Sequence, residues 1–129
     1  ELRDFYWIEQ SEAERVVELI PRMVRERIPQ RFGLDPLSDV QVLTPMNRGP
    51  VGAIRLNQLL QQQLNPQPEA QFHIGVHLYC KGDRVMQIVN NYDKGVFNGD
   101  LGQMIAVNTE EKTFRILYDT HSGVFALYR

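Results

Sequence analysis

The sequence predicts an α/β protein in which part of a wound sheet, with its helices, is followed by a small all-β barrel. Three observations predict it. Two β-prone segments, Asp4–Glu9 and Val40–Pro45, flank a stretch whose apolar residues recur at helical spacing. A second helical stretch follows, from Ile54 to Leu64. From Gln103 onward the chain reads as short strands separated by tight turns.

Composition narrows the function classes. A chain of 129 residues with 43% apolar and 23% charged side chains can bury one real core, so disorder is not expected. The formal charge of −2 excludes a strongly basic nucleic-acid binder of the tail or patch type, because phosphate affinity rests on Lys and Arg that displace counterions. Any DNA contact must be local or shared with other domains. The single cysteine, Cys80, cannot form an internal disulfide, and a reducing compartment, the cytoplasm, is expected. No apolar run approaches membrane-spanning length, so no membrane partner is expected. The chain starts at Glu1 rather than Met, and a piece of a longer chain is expected.

Asp4-Phe5-Tyr6-Trp7-Ile8-Glu9 opens as a strand on β propensity, with Tyr6 and Trp7 as packing groups. Ser11-Glu12-Ala13-Glu14 has the form of a capping box and starts a helix. Val16, Val17, Ile20, Met23, Val24 and Ile28 mark its packed face. Pro21 removes an amide donor inside that pattern, which predicts a kink or two short helices, and Pro29 and Gly33 end the segment. The arginines near its C-terminal end complement the helix dipole. Val40-Gln41-Val42-Leu43-Thr44-Pro45 is then a short apolar strand that stops at a proline.

The loop Met46-Asn47-Arg48-Gly49-Pro50-Val51-Gly52 lies between that strand and the next helix, where ligands of open α/β sheets bind. Arg48 is its only cation. It could donate a bidentate pair to a phosphate, or it could be a surface arginine tying down its own loop.

Asn65-Pro66-Gln67-Pro68-Glu69 ends the helix as a stiff connector, and His73–Cys80 alternates like a strand with Ile74, Val76, Leu78 and Cys80 facing a core. His73, His77 and Cys80 match no usual zinc spacing, and no metal is expected. Val85, Met86, Ile88 and Val89 form a nearly continuous apolar run suited to a strand buried on both faces. Two turns follow, Asn91–Gly95 and the strong hairpin signal Asn98-Gly99. Asn90, Asn91, Tyr92, Asp93, Asn98 and Asp100 offer more hydrogen-bonding capacity there than two turns require. Strands are then expected at Gln103–Val107, Phe114–Tyr118 and Val124–Tyr128, in a small SH3-like barrel.

Two motifs point the same way. Gly82-Asp83-Arg84-Val85-Met86-Gln87, then Asn90-Asn91-Tyr92-Asp93, then Val96-Phe97-Asn98-Gly99-Asp100-Leu101-Gly102 resembles the segment entering the barrel inserted in the second motor domain of RecD-like superfamily 1 helicases. Val42-Leu43-Thr44-Pro45-Met46-Asn47-Arg48-Gly49-Pro50-Val51-Gly52, followed by Leu56-Asn57 and Leu60-Gln61, resembles motif IV of the same family. The resemblance implies a partial RecA-like second motor domain over residues 1–98 and an inserted SH3-like barrel segment over 99–129. It implies an ATP-dependent 5′-to-3′ DNA helicase acting in recombination and repair, of which this chain supplies part of the ATP cleft and of the single-strand path.

By the same resemblance Arg48 is the catalytic γ-phosphate contact, and Arg48, Asn47 and Gly49 adjoin the nucleotide. Thr44, Pro45, Asn90, Asn91, Tyr92 and Asn98 are the DNA contacts. ATP and Mg²⁺ are implied for the parent protein and none for this segment, which lacks Gly-x-x-x-x-Gly-Lys-[Ser/Thr] and is expected to be inactive alone. The implied partners are single-stranded DNA, the remaining helicase domains and other subunits of a recombination nuclease. The alternative is a stand-alone nucleic-acid-binding or protein-interaction module without ATPase activity.

Overall fold

A computed structural model describes residues 4–119 and the backbone of 125–128. The chain divides into two compact units, Glu1–Leu64 and Asn65–Arg129.

The first unit is helical. Helix α1 spans Ala13–Arg22, a π-helical turn covers Met23–Arg27, α2 spans Ile28–Phe32 and α3 spans Ala53–Leu64. The expected capping box does not form: Glu12 is the N-cap, its side chain caps nothing, and its amide donates to Gln10 Oε1 at 3.1 Å. Pro21 sits buried inside α1, and the disruption expected of it appears just downstream, as the widened π turn. Gly33 closes the segment at φ 67°, its amide donating to Pro29 O at 2.8 Å. Helices α1 and α3 pack together, with Val24 and Leu56 buried, and Arg25 donates to Gln63 Oε1 at 2.8 Å.

Neither expected strand of this unit forms. Asp4–Glu9 and Val40–Leu43 are irregular, and Phe5, Tyr6, Trp7, Ile8 and Leu43 are exposed. A strand is made by its ladder partners, and these segments find none among the described residues. Two arms of the wound-sheet expectation therefore fail in this structure.

The second unit is β-rich. Strands β1 (Gln71–Ile74) and β2 (His77–Cys80) form an antiparallel hairpin. Strands β3 (Arg84–Met86), β4 (Leu101–Asn108), β5 (Thr113–Tyr118) and β6 (Phe125–Tyr128) form an antiparallel meander in that order. The single strand expected over His73–Cys80 is broken by Gly75 at φ 59°, the first central residue of a two-residue turn, which leaves Val76 87% exposed. Cys80 keeps its expected place in a core. Burial, with the Asp83 carboxylate second, pushes its thiol up to about 11, so it stays protonated at neutral pH.

Phe72, Val96, Met104, Phe114, Ile116 and Tyr118 form the core of the unit. Strand β5 supplies it by alternation, with Phe114, Ile116 and Tyr118 inward and Arg115 and Leu117 outward. Tyr79 stacks on Phe114 at 5.6 Å, tying the hairpin to the meander. A bulge at Ile105 shifts the register between Met104 and Ala106.

The apolar run Val85–Val89 departs most from expectation. Only Arg84–Met86 pairs with β4, and Ile88 and Val89 stand 72% and 66% exposed in the long excursion that joins β3 to β4.

Arg84 on β3 reaches across β4 to Asp119 beyond β5 in a bidentate pair, one arm of which is 2.8 Å. The Arg84 guanidinium holds the Asp119 carboxyl below its ordinary value. A carboxyl lowered in the folded state adds stability above its unfolded value and loses it as pH falls through the folded value. Acid sensitivity of the β unit below about pH 4 is therefore expected to shrink in Asp119→Asn. Urea midpoints at pH 7 and pH 3 measure it, and an unchanged difference between the two would show the pair to be idle.

Candidate nucleic-acid interface

The loop that carries Arg48 wraps onto the start of α3 through its own backbone. Ala53 donates to Met46 O at 2.8 Å, Ile54 to Asn47 O at 3.2 Å, and Gly52 to Gly49 O at 3.1 Å. The Thr44 hydroxyl donates to Val51 O at 2.8 Å. These carbonyls occupy the first two amides of the helix, those of Ala53 and Ile54, which leaves the Arg48 guanidinium as the cation the loop itself offers an anion. Arg48, Asn47, Gly49 and Pro45 are exposed, and Thr44 is half-buried. Gly49 takes φ 93°, and Gly52 is buried where no Cβ fits.

The second group of residues belongs to the β3–β4 excursion. Asn91 and Val96 form an isolated bridge, with Asn91 N to Val96 O at 2.7 Å, and Val96 plugs the core beneath it. Between them Tyr92–Gly95 is a turn closed by Gly95 N to Tyr92 O at 3.2 Å, and Asn91 Oδ1 accepts from Lys94 N at 3.1 Å. Asn98-Gly99 is also a turn, but φ is positive at Gly99 alone, at 97°, and Asp100 N donates to Phe97 O at 3.0 Å. That is the backbone pattern of a type II turn rather than the two-residue hairpin that the dipeptide predicts. Phe97 N also donates to Asp100 Oδ2 at 2.8 Å, and Gly99 N and Asp100 O bond the Gln87 backbone, each at 2.8 Å.

Asn90, Asn91, Tyr92 and Asn98 therefore do come together, in one loop. Most of their polar capacity is turned inward. Asn90 Oδ1 accepts from Asn98 N at 2.8 Å, and Asn90 Nδ2 donates to the Tyr92 hydroxyl at 3.4 Å. Large apolar and aromatic groups are exposed beside Asn90, Asp93 and Asn98: Tyr92 is 77% exposed, meets Phe97 edge-on at 5.7 Å, and belongs to the same excursion as exposed Ile88 and Val89. Such aromatic groups can stack on bases, which needs no sequence match.

Sequence reasoning missed two anchors. Asn65 Nδ2 donates to Lys81 O and to Asp83 Oδ1, each at 2.9 Å, which fixes the Gly82 turn into β3. Gln87 is bound through backbone and side chain alike. It is part of a motif, yet no spacing rule marks a glutamine as a knot. A shallow concavity of about 390 Å³ near Asn65, Lys81 and Gln103 holds none of the expected contact residues. Among the described residues no three ligating side chains gather around a metal position, and no helix is long and apolar enough to cross a membrane.

Comparison with known proteins fits the β-rich unit. Residues 56–118 match the family model of the ATP-dependent RecD-like DNA helicase SH3 domain. The ATP-dependent RecD2 DNA helicase of Deinococcus radiodurans is 44% identical over 66 residues, a stretch that covers 51% of this chain and 9% of that protein. The family match starts at Leu56, inside α3, so the loop of Arg48 lies outside it. The family model that matches describes an SH3 domain. From α3 to the end of β5 the chain carries a region similar to the SH3 domain of RecD-like DNA helicases.

Proposed function

We propose that this chain is part of a RecD-like, ATP-dependent 5′-to-3′ DNA helicase acting in recombination and repair in the cytoplasm, and that its SH3 region guides single-stranded DNA. The match over residues 56–118 carries the reading. Two further observations support it. The β3–β4 excursion exposes Tyr92, Phe97, Ile88 and Val89, and the side-chain oxygens of Asn90 and Asn91 are engaged within it. The helical unit exposes Phe5, Trp7, Leu43 and Met46, as a part of a larger motor domain would when separated from it.

In that reading residues 1–98 belong to the second RecA-like domain and 99–129 to the inserted barrel. Arg48, with Asn47 and Gly49 beside it, faces the nucleotide, and ATP and Mg²⁺ bind the parent rather than this segment. Thr44 and Pro45 in the helical unit, and Asn90, Asn91, Tyr92 and Asn98 in the β-rich unit, are each strand contacts. The remaining helicase domains, and subunits of a recombination nuclease, are the protein partners.

Acidic residues slightly outnumber basic ones from Asn65 to Arg129, so contact there comes from stacking more than from counterion release. Tyr92→Ala is expected to weaken oligo(dT) binding by roughly tenfold, at the lower end of what one stacked base contributes. Fluorescence anisotropy at two salt concentrations measures it. Unchanged affinity in the variant would defeat the single-strand reading, and a steep salt dependence would defeat the stacking account.

A further inference from the structure

An exposed apolar loop needs something other than its own burial to keep its shape. Ile88, Val89, Tyr92 and Phe97 would otherwise collapse onto the nearest apolar surface. The restraint is polar, and it centres on Gln87. Its backbone amide donates to Asp100 O and its carbonyl accepts from Gly99 N, each at 2.8 Å. Its side-chain Oε1 accepts from the Tyr118 hydroxyl at 2.7 Å, and its Nε2 donates to Val89 O at 2.7 Å.

Tyr118 is 2% exposed and its ring is packed in the core of the β unit, so its hydroxyl is a fixed point. From there two hydrogen bonds run in series through one planar amide to the backbone of the exposed segment, each polarising the other. The Gln87 peptide groups meanwhile hold the Phe97–Asp100 turn, and Asn90 Oδ1 holds Asn98 N. Both arms of the excursion are thus tied back to one residue. Only a side chain with an acceptor and a donor at this reach can do it: glutamate lacks the donor, methionine lacks both, and asparagine is a methylene short.

We propose that Gln87, held by the Tyr118 hydroxyl, is the positioning residue that sets the strand-receiving shape of the Ile88–Asn98 loop. The proposal rests on the reading of that loop as a single-strand contact. Gln87 itself does not touch the strand. Tyr118→Phe removes one oxygen and keeps the packed ring, which separates positioning from folding.

The test uses the 129-residue chain, labelled for amide NMR, with oligo(dT) as the probe. In Tyr118→Phe the amides of Val89, Asn91 and Asn98 are expected to shift and to exchange roughly tenfold faster, while those of Met104 and Ile116 stay as they were. Oligo(dT) affinity is expected to fall up to about tenfold, the effect of one lost hydrogen bond. Gln87→Met is expected to reproduce both effects, and the double variant to add nothing, because the two groups act in series. Loop amides unchanged in Tyr118→Phe overturn the proposal. So does unchanged affinity in a chain that binds oligo(dT) and whose loop amides have moved. If the unaltered chain does not bind oligo(dT), the single-strand reading is what fails, and the loop amides still decide whether Gln87 and Tyr118 set the shape.

Discussion

Gly102→Ala is expected to lower the melting temperature of the β unit by roughly 10–15 °C, the consequence of about 2–3 kcal/mol of overpacking in a domain of this size. Gly102 pairs with Val85 on one side and with Tyr118, a core residue, on the other. A Cβ there would stand 2.6 Å from Ile116 Cγ2 and 2.7 Å from Leu117 O. The second of these is backbone of the neighbouring strand, and it cannot yield without opening the ladder. The effect does not come from the dihedral angle, because φ at Gly102 is not in the left-handed region.

Gly99 is the control. It takes φ 97°, and a Cβ added there would meet nothing within 4 Å, so Gly99→Ala costs only backbone strain, about 1–2 kcal/mol. Thermal melts followed through the amides of β4 and β5 separate the two. A Gly102→Ala chain that melts within a few degrees of the unaltered one would show that the strands can part there cheaply.

The same residues show what a sequence can disclose. Alternation in Thr113–Tyr118 and the helical spacing of Leu56, Leu59, Leu60 and Leu64 are legible because each segment carries its own period and finds a surface to pack on. The segments Asp4–Glu9 and Val40–Leu43 have strand propensity without partners, and propensity alone makes no ladder. In Val85–Val89 the apolar run predicts burial, whereas Ile88 and Val89 are exposed and the Val89 carbonyl is bonded by the Gln87 side chain. Neither polar knot nor exposed apolar face has a period. The residues expected to contact DNA in the excursion stand out by their crowding, and Asn90 Oδ1 and Asn91 Oδ1 brace the loop that presents Tyr92.

Arg48→Ala and Gly52→Ala, made in the full helicase proposed as the parent, are expected to lower DNA-stimulated ATP turnover by about 100-fold each, by different routes. Arg48→Ala removes the donor that would meet the γ-phosphate, and in such sites one preorganised donor has an effect of that order. Gly52→Ala leaves every side chain of the loop in place. Its Cβ would stand 2.5 Å from Arg48 O and 2.7 Å from Asn47 O, so the loop must lift from the first turn of α3, carrying Asn47 and Arg48 with it. The bonds from Ala53 to Met46 O and from Ile54 to Asn47 O would lengthen together. A displacement of about 1 Å suffices for a loss of this size when the group acts by position. If Arg48 only ties down its own loop, the first variant should hydrolyse ATP at the parent rate, and that rate in both variants would remove the loop from the nucleotide site. Oligo(dT) binding by the SH3 region should survive in both, which distinguishes a damaged ATP cleft from a damaged strand path.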